Sequence, residues 1–243
     1  MSLSSQRVIL WWAIAFAVIY GIVLIFLCHM VPPPRPTLNS DQVAAFYARH
    51  HDSIRIGAVI ASWASAFNLP WAVVIAAQMA RQETGKKVWS MMTICGGAMM
   101  SIFLVLPPLF WGVAAFTPAR DHQITATMHE LGMLTLTTTD QYYIFMWVAI
   151  VVICFRGTNV KHSPFPRWFG YFTAWIALMF EAGAFAFLPR TGPLAWNGLL
   201  VFWFPLTLFG LWLTVQSVLL FNAIRAQKGD ALEVEEPALV AVG

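Results

Sequence analysis

The chain has 243 residues, of which 59% are hydrophobic and only 10% are charged, and its formal net charge is +3. Soluble domains carry about 25% charged residues, so this composition and a mean hydropathy of +0.69 indicate a membrane protein. The sequence has no basic patch interleaved with aromatic residues, which excludes a nucleic-acid-binding protein.

The apolar runs are about 20 residues or longer, whereas barrel strands need roughly 9–11 residues to cross a bilayer. The sequence therefore predicts an all-α integral membrane protein, a bundle of six transmembrane helices in one membrane domain, residues 1–228. The predicted spans are residues 8–30, 54–80, 88–116, 135–155, 168–188 and 196–222.

Two connecting segments are predicted to form short interfacial helices on the outer side of the membrane. Residues 39–41, Asn-Ser-Asp, are typical of a helix N-cap, and residues 41–51 have the apolar face of a helix that lies on a membrane. Residues 121–133 carry apolar side chains at helical spacing and give the second such helix. The acidic tail, residues 229–243, is predicted to be disordered and cytoplasmic.

The distribution of lysine and arginine predicts the orientation. With the N-terminus inside, nine of the 14 basic residues fall on the inner side and five, all arginine, on the outer side. The positive-inside rule then places both termini in the cytoplasm. We expect the protein to reside in a bacterial inner (plasma) membrane.

The histidines gather on the predicted outer side, where five of the six lie. Imidazole and carboxylate groups at one membrane face suit a divalent metal, a haem or a proton relay, and the seven-residue spacing of His122 and His129 puts both on one face of a helix. Haem or copper is the cofactor that such a site would hold, although the zinc motif HExxH is absent. The alternative is that polar loops simply collect solvated histidines. The candidate metal ligands are His50, His51, His122 and His129.

Glu181 is an ionisable residue inside an apolar span, roughly 10 Å below the outer end of that span. Such groups usually face the interior of a bundle or a wet cavity. We expect Arg55, at the top of span two, to lie near it. A purely structural ion pair or hydrogen bond between helices is the alternative.

Three further polar residues could complete a binding site. Asp140 and Tyr142 belong to a polar run that enters span four, where they either line a vestibule or form an ordinary helix start. Asn68 lies beside Pro70 near mid-membrane, where proline kinks a helix. Its amide would satisfy the freed carbonyls or bind a ligand, and kinked spans are compatible with the broken helices of transporters.

These residues predict a small membrane binding or permeation protein, transporter-like or channel-like, with an outward-opening polar cavity for a small solute, a lipid-like ligand or an ion. Two alternatives stay open: a membrane subunit of a metal- or haem-dependent redox or oxygenase complex, and a structural or assembly subunit. The expected partners are the lipid bilayer, the ligand or ion, and a second copy or a partner membrane subunit. The predicted cavity residues are Glu181, Asp140, Tyr142, Arg55 and Asn68.

Overall fold

A computed structural model describes residues 1–117, 121–138, 140–157 and 160–240, except the side chains of residues 140–143 and 231–240. Within these ranges the chain is helical and contains no β-strand. The helices are α1 Leu3–Phe26, α2 Ser40–Ala64, α3 Asn68–Met79, α4 Val88–Phe116, α5 His122–Thr137, α6 Asp140–Arg156, α7 Arg167–Phe180 and α8 Phe204–Val240. A 3₁₀ turn, Ser65–Phe67, joins α2 to α3, a second, Glu181–Phe187, extends α7, and a π turn, Leu199–Trp203, precedes α8.

Five helical stretches in the described chain are long and apolar enough to cross a membrane, which confirms the prediction of a helical membrane protein. They are Leu3–Phe26, Ser40–Met79, Val88–Phe116, Arg167–Phe187 and Leu199–Asp230. The region of the fourth predicted span contains α5 and α6, and its described apolar helix, Ile144–Arg156, is shorter. The count of six spans therefore stays a prediction.

The helix starts are capped as their sequences indicate. Asn39 and Gln42 form a reciprocal capping box at the start of α2, and the Asp121 carboxylate accepts the backbone N–H of Gln123 at 2.7 Å at the start of α5. The predicted helix over residues 41–51 is the first part of α2, which changes direction at His50. A location of residues 41–51 or 121–133 in the membrane interface stays a prediction. Disorder in the tail, residues 229–243, also stays a prediction, and α8 continues through this tail as far as Val240.

α4 is the central helix because its glycines let three neighbours approach closely. A Cβ atom at Gly96 would lie 2.7 Å from the Met146 Cβ on α6, and one at Gly112 would lie 2.8 Å from the Ala58 Cβ on α2. Gly97 contacts Ala72 on α3 in the same way. Small residues at such positions are what allow membrane helices to pack without a hydrophobic driving force.

α5 and α6 run one after the other along α4, in the opposite direction. Gly132 of α5 packs against Trp111 near the end of α4, and Met146 of α6 packs against Gly96 in its first half. Because α4 has 29 residues, it is about 43 Å long, which exceeds the roughly 30 Å hydrocarbon core.

The first turn of α1 and the stretch of α8 around Gln227 meet at one end of the bundle, which we call the basic end. The Gln78 side chain donates to the Gln6 Oε1 atom at 2.7 Å and accepts from Gln227 Nε2 at 3.0 Å. Arg81 donates to Gln78 Oε1 at 2.8 Å and to the Lys161 carbonyl at 3.1 Å. These bonds connect α1, α3, α8 and the α6–α7 loop.

Candidate functional site

The opposite end, which we call the histidine end, is built around a buried histidine. His129 on α5 is 2% exposed, and its Nδ1 atom lies 3.1 Å from the Tyr47 hydroxyl oxygen on α2. With the imidazole proton on Nε2 the Tyr47 hydroxyl donates to Nδ1, and with the proton on Nδ1 the hydroxyl oxygen accepts. The Trp196 ring meets the imidazole edge to face, at 6.1 Å between centroids.

The environment of His129 disfavours its charged form. Its Nε2 atom is buried without a hydrogen-bond partner among the described residues, and burial lowers the pKa of the imidazole from 6.5 to about 4. Desolvation penalises the imidazolium because burial removes its charge from water. His129 is therefore neutral near pH 7. It lies in a layer of aromatic rings, which we call the aromatic layer and which includes Phe46, Tyr47 and Trp196.

Two more histidines belong to this layer through ring contacts. The His29 and His50 rings lie 4.1 Å apart between centroids, and Phe46 lies 5.2 Å from His50 and 6.5 Å from His129. The His29 Nε2 atom lies 3.2 Å from the Ser53 hydroxyl, which itself donates to the Leu27 carbonyl at 2.7 Å. The layer thus joins α2 and α5 to the segment that follows α1.

The remaining predicted metal ligands lie elsewhere. His122 Nδ1 contacts the Asp41 carboxylate at 2.7 Å on the exposed surface, and His51 Nε2 lies 3.4 Å from its neighbour Asp52. No group of three or more His, Cys, Asp or Glu side chains in the described part of the chain could hold a metal ion. Haem or copper at these histidines stays a prediction for which the described geometry supplies no shared centre.

The predicted polar cavity residues are not brought together where their side chains are described. Glu181 is half-buried at the point where α7 becomes a 3₁₀ turn. Arg55 instead lies over the Phe116 ring, 5.3 Å from its centroid. Asn68 is buried at the start of α3, where its Nδ2 atom has no partner among the described residues. The Asp140 and Tyr142 side chains lie outside the described residues.

An apolar cavity of about 250 Å³ occupies the half of the bundle nearer the histidine end. It lies between α1, α4, α7 and α8, and the last turn of α5 closes one side. Leu206 and Gly210 on α8 are exposed and Gly21 on α1 is half-buried, so the cavity reaches the outside of the bundle between α1 and α8. The lining includes Tyr20, Gly21, Leu104, Thr137, Phe180 and Gly210.

The few polar groups in this lining are already hydrogen-bonded to the protein. The Tyr20 hydroxyl donates to the Leu104 carbonyl at 2.7 Å, and that carbonyl is free because Pro108, four residues on, has no N–H. The Thr137 hydroxyl donates to the Met133 carbonyl at 2.9 Å. The walls therefore present carbon atoms to any occupant.

Sequence reasoning missed this cavity because its lining has no Asp, Glu, Lys, Arg or His residue. Two signals were nevertheless present: glycines at positions 21 and 210, and Pro205 early in the last span. A Cβ atom at Gly21 or Gly210 would meet nothing within 4 Å. Unlike the glycines of α4, these two leave open space beside the helices.

Comparison with protein-family models, with curated proteins and with solved structures finds no match to the chain.

Proposed function

We propose that the protein is a small integral membrane protein that binds a lipid-like ligand in the apolar cavity between α1, α4, α7 and α8. The observation that carries this proposal is the cavity of about 250 Å³ whose polar lining groups are already paired. A charged or strongly polar solute would lose its hydration there without gaining partners, so an apolar ligand is favoured.

Shape, rather than the hydrophobic effect, would select the ligand. Lipid tails are as apolar as the cavity walls, so transfer from the bilayer gains little from burial. The gain comes from dispersion contacts along a surface that fits the ligand. A cavity that holds benzene measures about 150 Å³, and sites for drug-sized ligands measure about 300–1,000 Å³. An acyl-chain segment or a small ring system suits the intermediate volume found here.

The two ends of the bundle favour binding over permeation. Toward the histidine end, Val31 lines the cavity, and three residues further on the Pro34 carbonyl accepts the Trp196 indole N–H at 2.8 Å. At the basic end, the bonds around Gln78 connect four parts of the chain. These contacts support lateral entry from the bilayer between α1 and α8.

We also propose a topology of six crossings with both termini in the cytoplasm of a bacterium, in its inner membrane. Gln6, near the start of the chain, and Gln227, near its end, both bond to Gln78, and an even number of crossings brings the two ends together. The end of α5 together with α6 supplies the sixth crossing. The concentration of lysine and arginine at the basic end supports the cytoplasmic assignment.

Photolabelling tests the cavity. The protein is placed in nanodiscs with a fatty acid that carries a diazirine at mid-chain, irradiated, digested and mapped by mass spectrometry. We expect saturable labelling of cavity residues such as Leu206 and Leu213. Gly21→Leu combined with Gly210→Leu fills the open space. It should reduce this labelling about tenfold, because the fatty acid loses its dispersion contacts with the cavity walls.

Gly229→Leu is the matched control because it also replaces a helical glycine whose Cβ position is open, but it lies at the basic end. It should label like the wild type. Labelling that spreads evenly over lipid-facing positions and is unchanged in the Gly21→Leu, Gly210→Leu double variant would contradict the proposal.

A further inference from the structure

A second concave surface lies on the outside of the bundle, between α2 and the end of α4. It is an open groove of about 780 Å³. Its floor is formed where Ala58 of α2 and Gly112 of α4 meet, since a Cβ atom at Gly112 would lie 2.8 Å from the Ala58 Cβ. Its sides carry Asp52, Arg55, Ile56, Val59, Trp63 and Phe116.

Along α2, the side of the groove is an apolar stripe. Ile56, Val59 and Trp63 are spaced three and four residues apart, which puts them on one helix face. They are 56%, 52% and 75% exposed. In the bilayer such a stripe contacts acyl chains directly, so a lipid is the occupant that this position in the membrane supplies.

The groove also carries one positive and one negative charge. Arg55 stacks on the Phe116 ring, and the ion pairs formed within the described residues do not include it. Asp52, three residues earlier, is 78% exposed on its side chain and contacts only the neighbouring His51 among described ion-pair partners. Two opposite charges thus line one groove without neutralising each other.

These charges lie at the level where headgroups are found. Phe116 is the last residue of α4, so Arg55, which stacks on it, is at the end of a membrane-spanning helix. Trp63 lies eight residues further along α2, which is about 12 Å deeper. The groove therefore has a charged end at the membrane surface and an apolar end within the hydrocarbon.

We propose that this groove binds one zwitterionic phospholipid with a primary ammonium group, that is, a phosphatidylethanolamine. Its phosphate accepts hydrogen bonds from the Arg55 guanidinium, its ammonium donates to the Asp52 carboxylate, and one acyl chain lies along Ile56, Val59 and Trp63. Phosphatidylcholine cannot donate to Asp52 because its nitrogen has no hydrogen, and phosphatidylglycerol has no cation to offer. This site is separate from the cavity and does not depend on its ligand.

Native mass spectrometry of the detergent-purified protein tests the site, with phosphatidylethanolamine, phosphatidylcholine and phosphatidylglycerol of identical acyl chains added in equal amounts. We expect one retained phosphatidylethanolamine adduct per chain. Arg55→Gln should weaken retention about tenfold, as loss of a charge-assisted hydrogen bond does. Asp52→Asn should remove the preference for phosphatidylethanolamine over phosphatidylcholine while one phospholipid is still retained.

Arg49→Gln removes a positive charge of the same helix that does not line the groove, and it should leave the adduct pattern unchanged. Should Arg55→Gln fail to accumulate, Asp52→Asn carries the test, because Asp52 is exposed. Three outcomes would overturn the proposal. The first is equal retention of the three lipids, the second is a reduction of lipid retention in Arg49→Gln as large as that in Arg55→Gln, and the third is a dimer that excludes lipid from the groove.

Discussion

The two ends of the bundle are held together by different chemistry. At the basic end, side-chain amides and an arginine exchange hydrogen bonds around Gln78, and each polar atom of the Gln78 side chain has a partner. At the histidine end, aromatic rings pack around His129, whose Nε2 atom is buried without a partner among the described residues.

This difference indicates which conditions would loosen each end. A satisfied hydrogen-bond network is broken by removing one member, because a buried partner such as Gln6 is then left unpaired. An aromatic layer with a neutral histidine is sensitive to protonation, because burial keeps water away from the new charge. Substitution should therefore affect the basic end most, and pH the histidine end.

Removing the central amide should have the largest effect. Gln78→Ala leaves Gln6, Gln227 and Arg81 without their shared partner, and we expect the free energy of unfolding to fall by about 2–4 kcal/mol. Unfolding in mixed detergent followed by circular dichroism measures it. Gln123→Ala, at an exposed amide, should change stability by less than about 0.5 kcal/mol. Equal effects of the two variants would mean that the network does not hold the basic end.

Acid should destabilise the histidine end. The folded-state pKa of His129, about 4, lies below the ordinary value of 6.5, so the unfolded chain binds the proton first. The contribution of His129 is complete above pH 6.5 and is lost as the pH falls toward 4. We expect it to account for about 2–3 kcal/mol of the stability lost between pH 7.5 and 4.5.

His129→Phe keeps a ring in the layer and removes the titration, so its unfolding free energy should vary less with pH than that of the wild type. Gln123→Ala, at an exposed position of the same helix, removes no titratable group and should retain the wild-type slope. If His129→Phe keeps the full pH dependence, another group causes it.

The smallest effect concerns the hydrogen bond between the Trp196 indole and the Pro34 carbonyl. Trp196→Phe removes the N–H that donates to the Pro34 carbonyl and keeps most of the ring, so we expect a loss of about 1 kcal/mol. Thermal unfolding in detergent measures it. Trp175→Phe, at a tryptophan that is 48% exposed, is the control, and a loss as large there would show that ring size, not the bond, matters.

The sequence was informative wherever a local signal decides the structure. The long apolar run at 88–116 predicted the first and last residues of α4, because hydropathy and flanking charges mark where a spanning helix begins and ends. Asn39 was recognisable as a helix cap because capping involves residues three apart in the chain. His29, His50 and His129 were assigned to one side of the bundle, and the structure places their rings in one layer.

The candidate site was less predictable because its geometry depends on contacts between distant residues. Glu181 and Arg55 were expected to be neighbours from their similar depth, but depth does not say which helices touch, and Arg55 stacks on Phe116. The hydrogen bonds around Gln78 are another case, since more than 70 residues separate Gln78 from Gln6 and more than 70 separate it from Gln227. The apolar cavity results from glycines that face open space, and sequence alone does not separate these from glycines that face a neighbour.

The close approach at Gly96 and Gly112 has a practical consequence for spectroscopy. A cysteine introduced at either position would wedge neighbouring helices apart, so spin labels or dyes attached there would report a distorted molecule. Cys95, beside Gly96, is exposed in the structure, whereas Cys28 and Cys154 are buried. A nitroxide reagent that partitions into lipid could therefore label the outer face of α4 through a native thiol, without any engineered residue.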